Sequence, residues 1–462
     1  MTQDLVNIKQ PYETDVAVIG GGPSGFAAAV AAARAGAKTI LVEQGGCAGG
    51  MATQGLVGPF MTSYDSKGEE MIIRGLFSEL IDRLVNLDGA IHPSKVRAGT
   101  AFTSWIVDGH DHVTPFDPEI LKRVMDEMLH DAGVRILYHT TFIEPVLSGT
   151  KITKVTVHSK SGMEELWAKI FIDCTGDGDL AYRCGVPYHK GRKGSGTMQP
   201  GTMFFRIGNV DEKAVEADIE KNKNNFYRKD GVNYRSLHWH VTKARENGDW
   251  SLERVSVGLF RGVKPDEWNV NTSRIMGLDA TNNESLTHGE IVGRRQVEEI
   301  FAFLRKYVPG CENAKMLSSA STLGVRESRH IHGDYVLDLD DILEGCVPED
   351  SILLASNSVD IHGRYGPTSN EYLTIRNGKW YGIPYRCLTP LVIENLLVAG
   401  RCVSASSEAS GAIRVMPPCM GMGQAAGIAA AMASKKCEPV REIDIKELQK
   451  ALIEQGAFLP QD

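Results

Sequence analysis

The stretch Asp15 to Glu43 reads DVAVIGGGPSGFAAAVAAARAGAKTILVE. It opens on a short β-branched run, Asp15 to Ile19, then turns through Gly20-Gly21-Gly22-Pro23-Ser24-Gly25. An alanine-rich segment starts at Phe26 and closes at Gly36, and a second apolar run, Lys38 to Val42, ends on the acid Glu43. Strand, glycine turn, helix, strand and terminal acid, in that order, predict a dinucleotide-binding unit. Gly20 permits a tight turn, Gly22 lets the backbone approach a pyrophosphate, and Gly25 lets the helix lie close on the strand. The helix N-terminus offers N–H groups and the positive end of a dipole to phosphates. Glu43 stands where a carboxylate accepts both hydroxyls of an adenosine ribose and disfavours a 2′-phosphate. Alone, the motif does not separate FAD from NAD.

The remaining composition bounds the class of protein. A chain of 462 residues, 42% hydrophobic and 23% charged, is ordinary for a large globular protein. A formal net charge of −8 argues against a nucleic-acid partner, which needs a basic surface. Met1 to Glu13 is polar and lacks the apolar core of a secretory signal. No apolar run reaches the length of a membrane span. The nine cysteines are scattered and include no CxxC pair. That pattern fits a reducing cytoplasm and excludes a disulfide framework, a zinc knuckle or an iron–sulfur cluster. No metal site is expected.

Along the chain, Gln44 to Thr53 is too glycine-rich for a regular element and can pass close to a cofactor. A helix is expected from about Arg74 to Leu87. Asp117-Pro118-Glu119 is a helix start, with an N-cap, a proline in the first turn and an acid at the positive dipole end. That helix runs from Ile120 to Ala132, and a strand follows at Val134 to Tyr138. Strand-like runs at Lys151–His158 and Leu166–Ile172 lead to a second glycine turn, Thr175-Gly176-Asp177-Gly178-Asp179. A long helix is expected from about Gly289 to Tyr307, and a last strand ends at Gly400-Arg401. Pro417 to Gly427 opens a closing helix, whose flavin-facing start is placed near Met422-Gly423.

Three glycine turns at strand ends call for one explanation. A nicotinamide domain is continuous and needs only the first. A flavin domain is often interrupted, its last strand and helix returning near the C-terminus, and this chain has that layout. The chain resembles the two-dinucleotide-binding-domain flavoproteins of the FAD-dependent oxidoreductase family, distantly related to the fumarate reductase flavoproteins. The matching motifs are GGGPSG with Glu43, Gly49–Thr53, Ile172–Asp179, Leu323–Arg329, Gly382–Leu388 and Leu396–Arg401.

The resemblance implies an α/β fold. A three-layer Rossmann-like FAD domain, discontinuous in sequence (14–181 and 386–436), carries an inserted mixed α+β substrate domain (182–385) and a C-terminal tail (437–462). It implies FAD as cofactor. Gly20, Gly22, Pro23, Ser24 and Gly25 would hold the pyrophosphate, with Ser24 as a hydroxyl donor. Glu43, beside Gln44, would take the ribose, and Phe142-Ile143 would meet adenine through the backbone. The loop residues Gly50, Met51, Ala52 and Thr53 would pass the cofactor, as would Thr175, Gly176 and Asp177. Gly400 and Arg401 would lie close to the phosphates or ribityl chain, and the helix opening at Met422-Gly423 would aim its dipole at the flavin. Disulfide reductases of similar fold carry a second cysteine five residues after the one at Cys47; here that position is Ala52, so dithiol chemistry is not expected.

Hydride transfer at flavin N5 needs a held substrate and a group that manages the accompanying proton. Ser410-Gly411-Ala412-Ile413-Arg414 resembles the segment whose arginine grips the substrate carboxylate in fumarate reductase flavoproteins, although Ser410 and Ile413 depart from its histidine and asparagine. Arg414 is therefore the first catalytic candidate; the competing roles are bracing the cofactor or pairing with Glu408. Arg326, His362 and Tyr385 complete the candidates, with His362 on a glycine-flanked loop and Tyr385 at the return to the FAD domain. His330 and His332 lack a third ligand and are read as structural, and for Arg326 and Arg329, with Glu327 between them, an internal ion-pair network is the competing reading. The function expected is FAD-dependent hydride transfer with a small hydroxylated or carboxylated metabolite. The alternatives are a fumarate-reductase-like C=C reductase and a non-catalytic electron-transfer subunit. The electron acceptor or donor and the oligomeric state, a homo-oligomer included, are left open by the residues.

Overall fold

The computed structural model describes residues 11–229, 232–362 and 370–459. A seven-stranded sheet carries the fold. Three of its strands, β1 (Tyr12–Ile19), β2 (Thr39–Val42) and β3 (Arg135–Leu137), run parallel, with β2 between the other two. Strands β4 (Thr141–Ser148), β5 (Lys151–Ser159) and β6 (Gly162–Asp173) form an antiparallel meander. The first half of β6 pairs with β5; its last residues run parallel to β1 on one side and to the returning strand Leu396–Val398 on the other. Two glycine turns and the returning strand thus end side by side.

Side chains alternate between the faces of β1. Val16 and Val18 point into the core shared with helix α1 (Pro23–Arg34) and with the closing helix Met416–Lys436. Ala17 and Ile19 join Val155, Val157 and Phe171 in a second core on the opposite face. This is the three-layer arrangement expected. The helix expected from Ile120 begins at Pro118 and ends at Asp131, and the Asp117 carboxylate accepts from the Glu119 amide at 2.8 Å. The helix expected near residues 74–87 spans Leu76–Asn86, and the long one spans Asn283–Tyr307.

The closing helix starts at Met416, with Pro417 and Pro418 in its first turn, so Met422-Gly423 lies inside it and is not its start. Gly423 serves packing instead. A Cβ there would stand 2.1 Å from the Ser24 carbonyl oxygen, and one at Gly427 would stand 2.3 Å from that of Ala28. Two glycines one turn apart let the closing helix meet the alanine-rich α1 at backbone distance.

A separate antiparallel sheet, ordered Leu259–Arg261, Trp268–Val270, Phe205–Gly208 and Lys315–Ser319, has its own core with the long helix, including Met203, Trp268, Ile300 and Phe303. The buried residues of 337–388, among them Leu354, Tyr381 and Tyr385, pack instead into the core around α1. The tail carries the helix Ile445–Glu454, whose Leu448 and Leu452 enter that same core. All nine cysteines are free. Among the described residues, no helix is long and apolar enough to cross a membrane.

Candidate active site

A cavity of about 470 Å³ opens between the ends of the parallel strands and the antiparallel sheet. Its lining joins two groups of residues. One comes from the glycine turns and includes Gly20, Gly22, Pro23, Ser24, Glu43, Gln44, Gly50, Met51, Phe142, Thr175, Gly176, Asp177 and Arg401. The other includes Arg235, Arg254, Arg274, Arg326, Asp360, His362, Tyr372 and Arg414.

The first group forms a nucleotide cradle. Gly20 has φ +98°, and a Cβ there would lie 2.4 Å from the Cys174 carbonyl oxygen. A Cβ on Gly22 would meet no atom within 4 Å and would project into open space at the cavity wall. No side chain caps the start of α1, so its first amides remain available to a ligand. The Glu43 carboxylate accepts from the amides of Gly21 at 2.7 Å and Gly45 at 2.6 Å, which fixes its orientation. A carboxylate offers about four acceptor positions, so capacity for ribose hydroxyls remains. Open space at Gly22, an uncapped helix and an oriented acid fit the pyrophosphate and ribose of FAD.

Several expected cofactor contacts act differently. The Ser24 hydroxyl lines the cavity but donates to the Ala399 carbonyl at 3.2 Å, pinning α1 to the returning strand. Gly400, at φ +100°, faces that same hydroxyl, and a Cβ would approach it to 2.5 Å. Ala52 and Thr53 do not reach the cavity: Ala52 is in the core, and the Thr53 hydroxyl donates to the Ala48 carbonyl at 2.8 Å, closing the loop on itself. Gly25 and Ile143 are also absent from the lining, although their neighbours Ser24 and Phe142 belong to it. Arg401 spends its guanidinium on the protein. It donates to Gly176 O at 2.9 Å, Val325 O at 2.8 Å and Asp177 Oδ1 at 2.6 Å, tying the second and third glycine turns to the segment before Arg326.

In the second group, Asp360 and His362 stand on the strand Val359–His362, not on a loop; 363–366 lie outside the described residues. His362 Nε2 lies 2.8 Å from Asp360 Oδ2, and its Nδ1 lies 3.0 Å from an Arg274 nitrogen. An arginine only donates, so Nδ1 accepts and the proton sits on Nε2. Burial pushes His362 down to about 3, so the ring is neutral and holds Arg274 in place. Burial works to raise the Asp360 carboxyl, but His362, Arg414 and Arg326 outweigh it and hold the group well below its ordinary range. Arg414 lies 3.7 Å from Asp360; Glu408 pairs with Arg192 at 3.6 Å, so the Glu408 partnership expected as an alternative is not formed. Arg326 donates to Pro200 O at 2.6 Å. Burial, then Asp360, pushes the Tyr372 phenol up to about 12, so it retains its proton at neutral pH.

Tyr385 is not in this site. Its ring is fully buried, and its hydroxyl donates to Val440 O at 2.6 Å, anchoring the tail to the core. The His330 ring binds Glu327 at 2.9 Å within its own segment, while Arg329 reaches across to Asp179 at 2.8 Å. His332 and His189 meet at 3.0 Å, and no group of three or more metal-binding side chains occurs among the described residues. Arg235, Arg254, Arg274 and Tyr372 escaped the sequence reading. Each is a single polar residue in an unpatterned segment; the one usable signal was the rise in basic and aromatic residues after Tyr182.

The strand-end cradle, the discontinuous parallel sheet and the adjoining chamber define a flavoprotein of the dinucleotide-binding type. The chain belongs to the FAD dependent oxidoreductase family, whose model matches residues 15–452. FAD is its cofactor. Mitochondrial dihydrolipoyl dehydrogenases from Pongo abelii and Homo sapiens are 24% identical over 280 residues, covering 56% of this chain. The match covers 52% of those proteins, so the chain spans about half the length of these relatives. Among solved structures, p-nitrophenol 4-monooxygenase from Pseudomonas putida is 13% identical, with a TM-score of 0.46 over 96% of this chain and 85% of that one.

Proposed function

We propose that the chain catalyses hydride transfer between FAD and a small hydroxylated or carboxylated metabolite held in the arginine-lined chamber. The observation that carries this reading is the shared cavity: cradle residues Gly22 and Glu43 and chamber residues Arg326, Tyr372 and Arg414 line one space. Bound FAD supplies the group that accepts or donates the hydride. Arg414 and Arg326 orient the substrate through charge-assisted hydrogen bonds. Asp360 and His362 fix Arg414 and Arg274. Tyr372 holds a proton that it can share with a substrate oxygen. The nine unpaired cysteines support a reducing, cytoplasmic setting.

The test is anaerobic mixing of the FAD-loaded protein with a panel of small alcohols, hydroxy acids and amines, read as loss of visible flavin absorbance. Bleaching by a member of the panel is the expected result. Bleaching only by a protein donor would favour an electron-transfer subunit and overturn the proposal.

A further inference from the structure

The chamber holds far more positive charge than it neutralises. Five arginines, Arg235, Arg254, Arg274, Arg326 and Arg414, line it, and among the described residues Asp360 is the one carboxylate beside them. The other acids lining the cavity are engaged elsewhere. Asp177 is bound by Arg401 and Asp179 by Arg329, while Glu43 is held by two backbone amides. Asp360 itself is shared between His362 and Arg414.

The arginines are also under-bonded. Among the described residues, Arg254 makes no side-chain hydrogen bond or ion pair, and its Nε is buried without a partner. The Nε of Arg414 is likewise buried and unpartnered. Among the described residues, Arg326 reaches only a backbone carbonyl. Burial and the neighbouring arginines lower the proton affinity of Arg254 and Arg326, as packing of like charges does. A buried guanidinium without an anion is unfavourable, and an unpaired N–H adds to that cost. A ligand that brings negative charge removes both. One carboxylate has two oxygens and satisfies one guanidinium in bidentate fashion. The unpartnered donors belong to arginines on separate segments, Arg254 and Arg414, so a single carboxylate leaves much of the excess uncompensated.

We infer that the substrate is a small organic polyanion carrying at least two anionic groups, gripped by Arg254, Arg326 and Arg414. This rests on the proposed function for the choice of chamber, but it concerns binding and not turnover. Carboxylate and phosphate share the required chemistry.

The experiment is calorimetric titration of the oxidised, FAD-loaded protein with butyrate, succinate, citrate and inorganic pyrophosphate. Succinate, citrate or pyrophosphate is expected to bind at least about tenfold more tightly than butyrate. Whichever of the carboxylates or pyrophosphate binds better names the anionic group. Arg254→Gln is expected to lower that affinity at least about tenfold while FAD content stays constant. If Arg254→Gln fails to fold, Arg326→Gln takes its place. Equal affinity for butyrate and all polyanions, or affinity untouched by both substitutions, would overturn the inference. Polyanion binding together with no bleaching by any member of the alcohol, hydroxy-acid and amine panel would count against hydride transfer and leave the polyanion site intact. A neutral metabolite that bleaches the flavin, with no preference for polyanions, would do the reverse.

Discussion

Replacing Gly22 with alanine separates the cradle from the scaffold. Gly22 has φ −63° and ψ −173°, which any residue adopts, and its Cβ would meet nothing within 4 Å. The apoprotein should therefore fold. Loss of a glycine stabilises by about 0.4–1 kcal/mol through the unfolded chain, and alanine at a helix N-cap costs a similar amount, so the net change stays within about 1 kcal/mol. The methyl group would occupy the space read as the path of the FAD pyrophosphate. Overpacking by one methyl costs roughly 1–3 kcal/mol, which is about a 5- to 150-fold loss of FAD affinity. The control is Gly25→Ala, whose Cβ would lie 1.8 Å from the Gly20 carbonyl oxygen and should disrupt the fold itself. Fluorescence titration of deflavinated protein with FAD, beside thermal melting, reads both quantities. Unchanged FAD affinity in Gly22→Ala, or destabilisation equal to that of Gly25→Ala, would refute the reasoning.

Glu43→Ala removes the acceptor of the Gly21 and Gly45 amides, so FAD retention should weaken and stability should fall by about 1–3 kcal/mol, measured by titration and melting. Tyr385→Phe loses the hydrogen bond to Val440 O; stability should drop by about 1 kcal/mol while steady-state turnover stays unchanged. Arg414→Ala should retain FAD and lose turnover; loss of FAD would show that the residue braces the cofactor. Acid should destabilise the protein. Burial holds His110 and His189 near about 4 and His362 near about 3, against about 6.5 unfolded, so the stability tied to each is full above about 6.5 and lost as pH falls toward those values. Asp173, raised to about 6 by burial, works the other way, its contribution being lost as pH rises through about 6. Near pH 5 the unfolded chain therefore binds about two more protons than the fold, and denaturant melts should show stability falling between pH 7 and 5. A flat profile would contradict this.

The elements legible in the residues are those fixed by local chemistry. The turn at Gly20–Gly25 and the Asp117 cap require only neighbours in the chain: the strand read from Asp15 begins at Tyr12, the helix read from Phe26 begins at Pro23, and the helix read from Ile120 begins at Pro118. Arg414 and Arg326 were found because each sits in a motif. Arg254 and Arg274 become visible only when distant segments converge on one cavity, a tertiary event with no local trace. The misplaced residues share a cause. Gly423 and Tyr385 resemble ligand contacts in sequence, but each packs against a backbone group far along the chain, Ser24 and Val440 respectively. The prolines Pro417 and Pro418 mark the start of the closing helix, which begins at Met416; only the flavin-facing end, placed near Met422-Gly423, falls inside it.

The most direct test is the anaerobic spectrum of the FAD-loaded protein during titration with small metabolites, wild type beside Arg414→Ala. The expected result is a bound flavin that a hydroxylated or carboxylated metabolite bleaches in the wild type and not in the variant. A flavin that no small metabolite reduces, or one bleached equally well in both proteins, would contradict a substrate site in the arginine chamber.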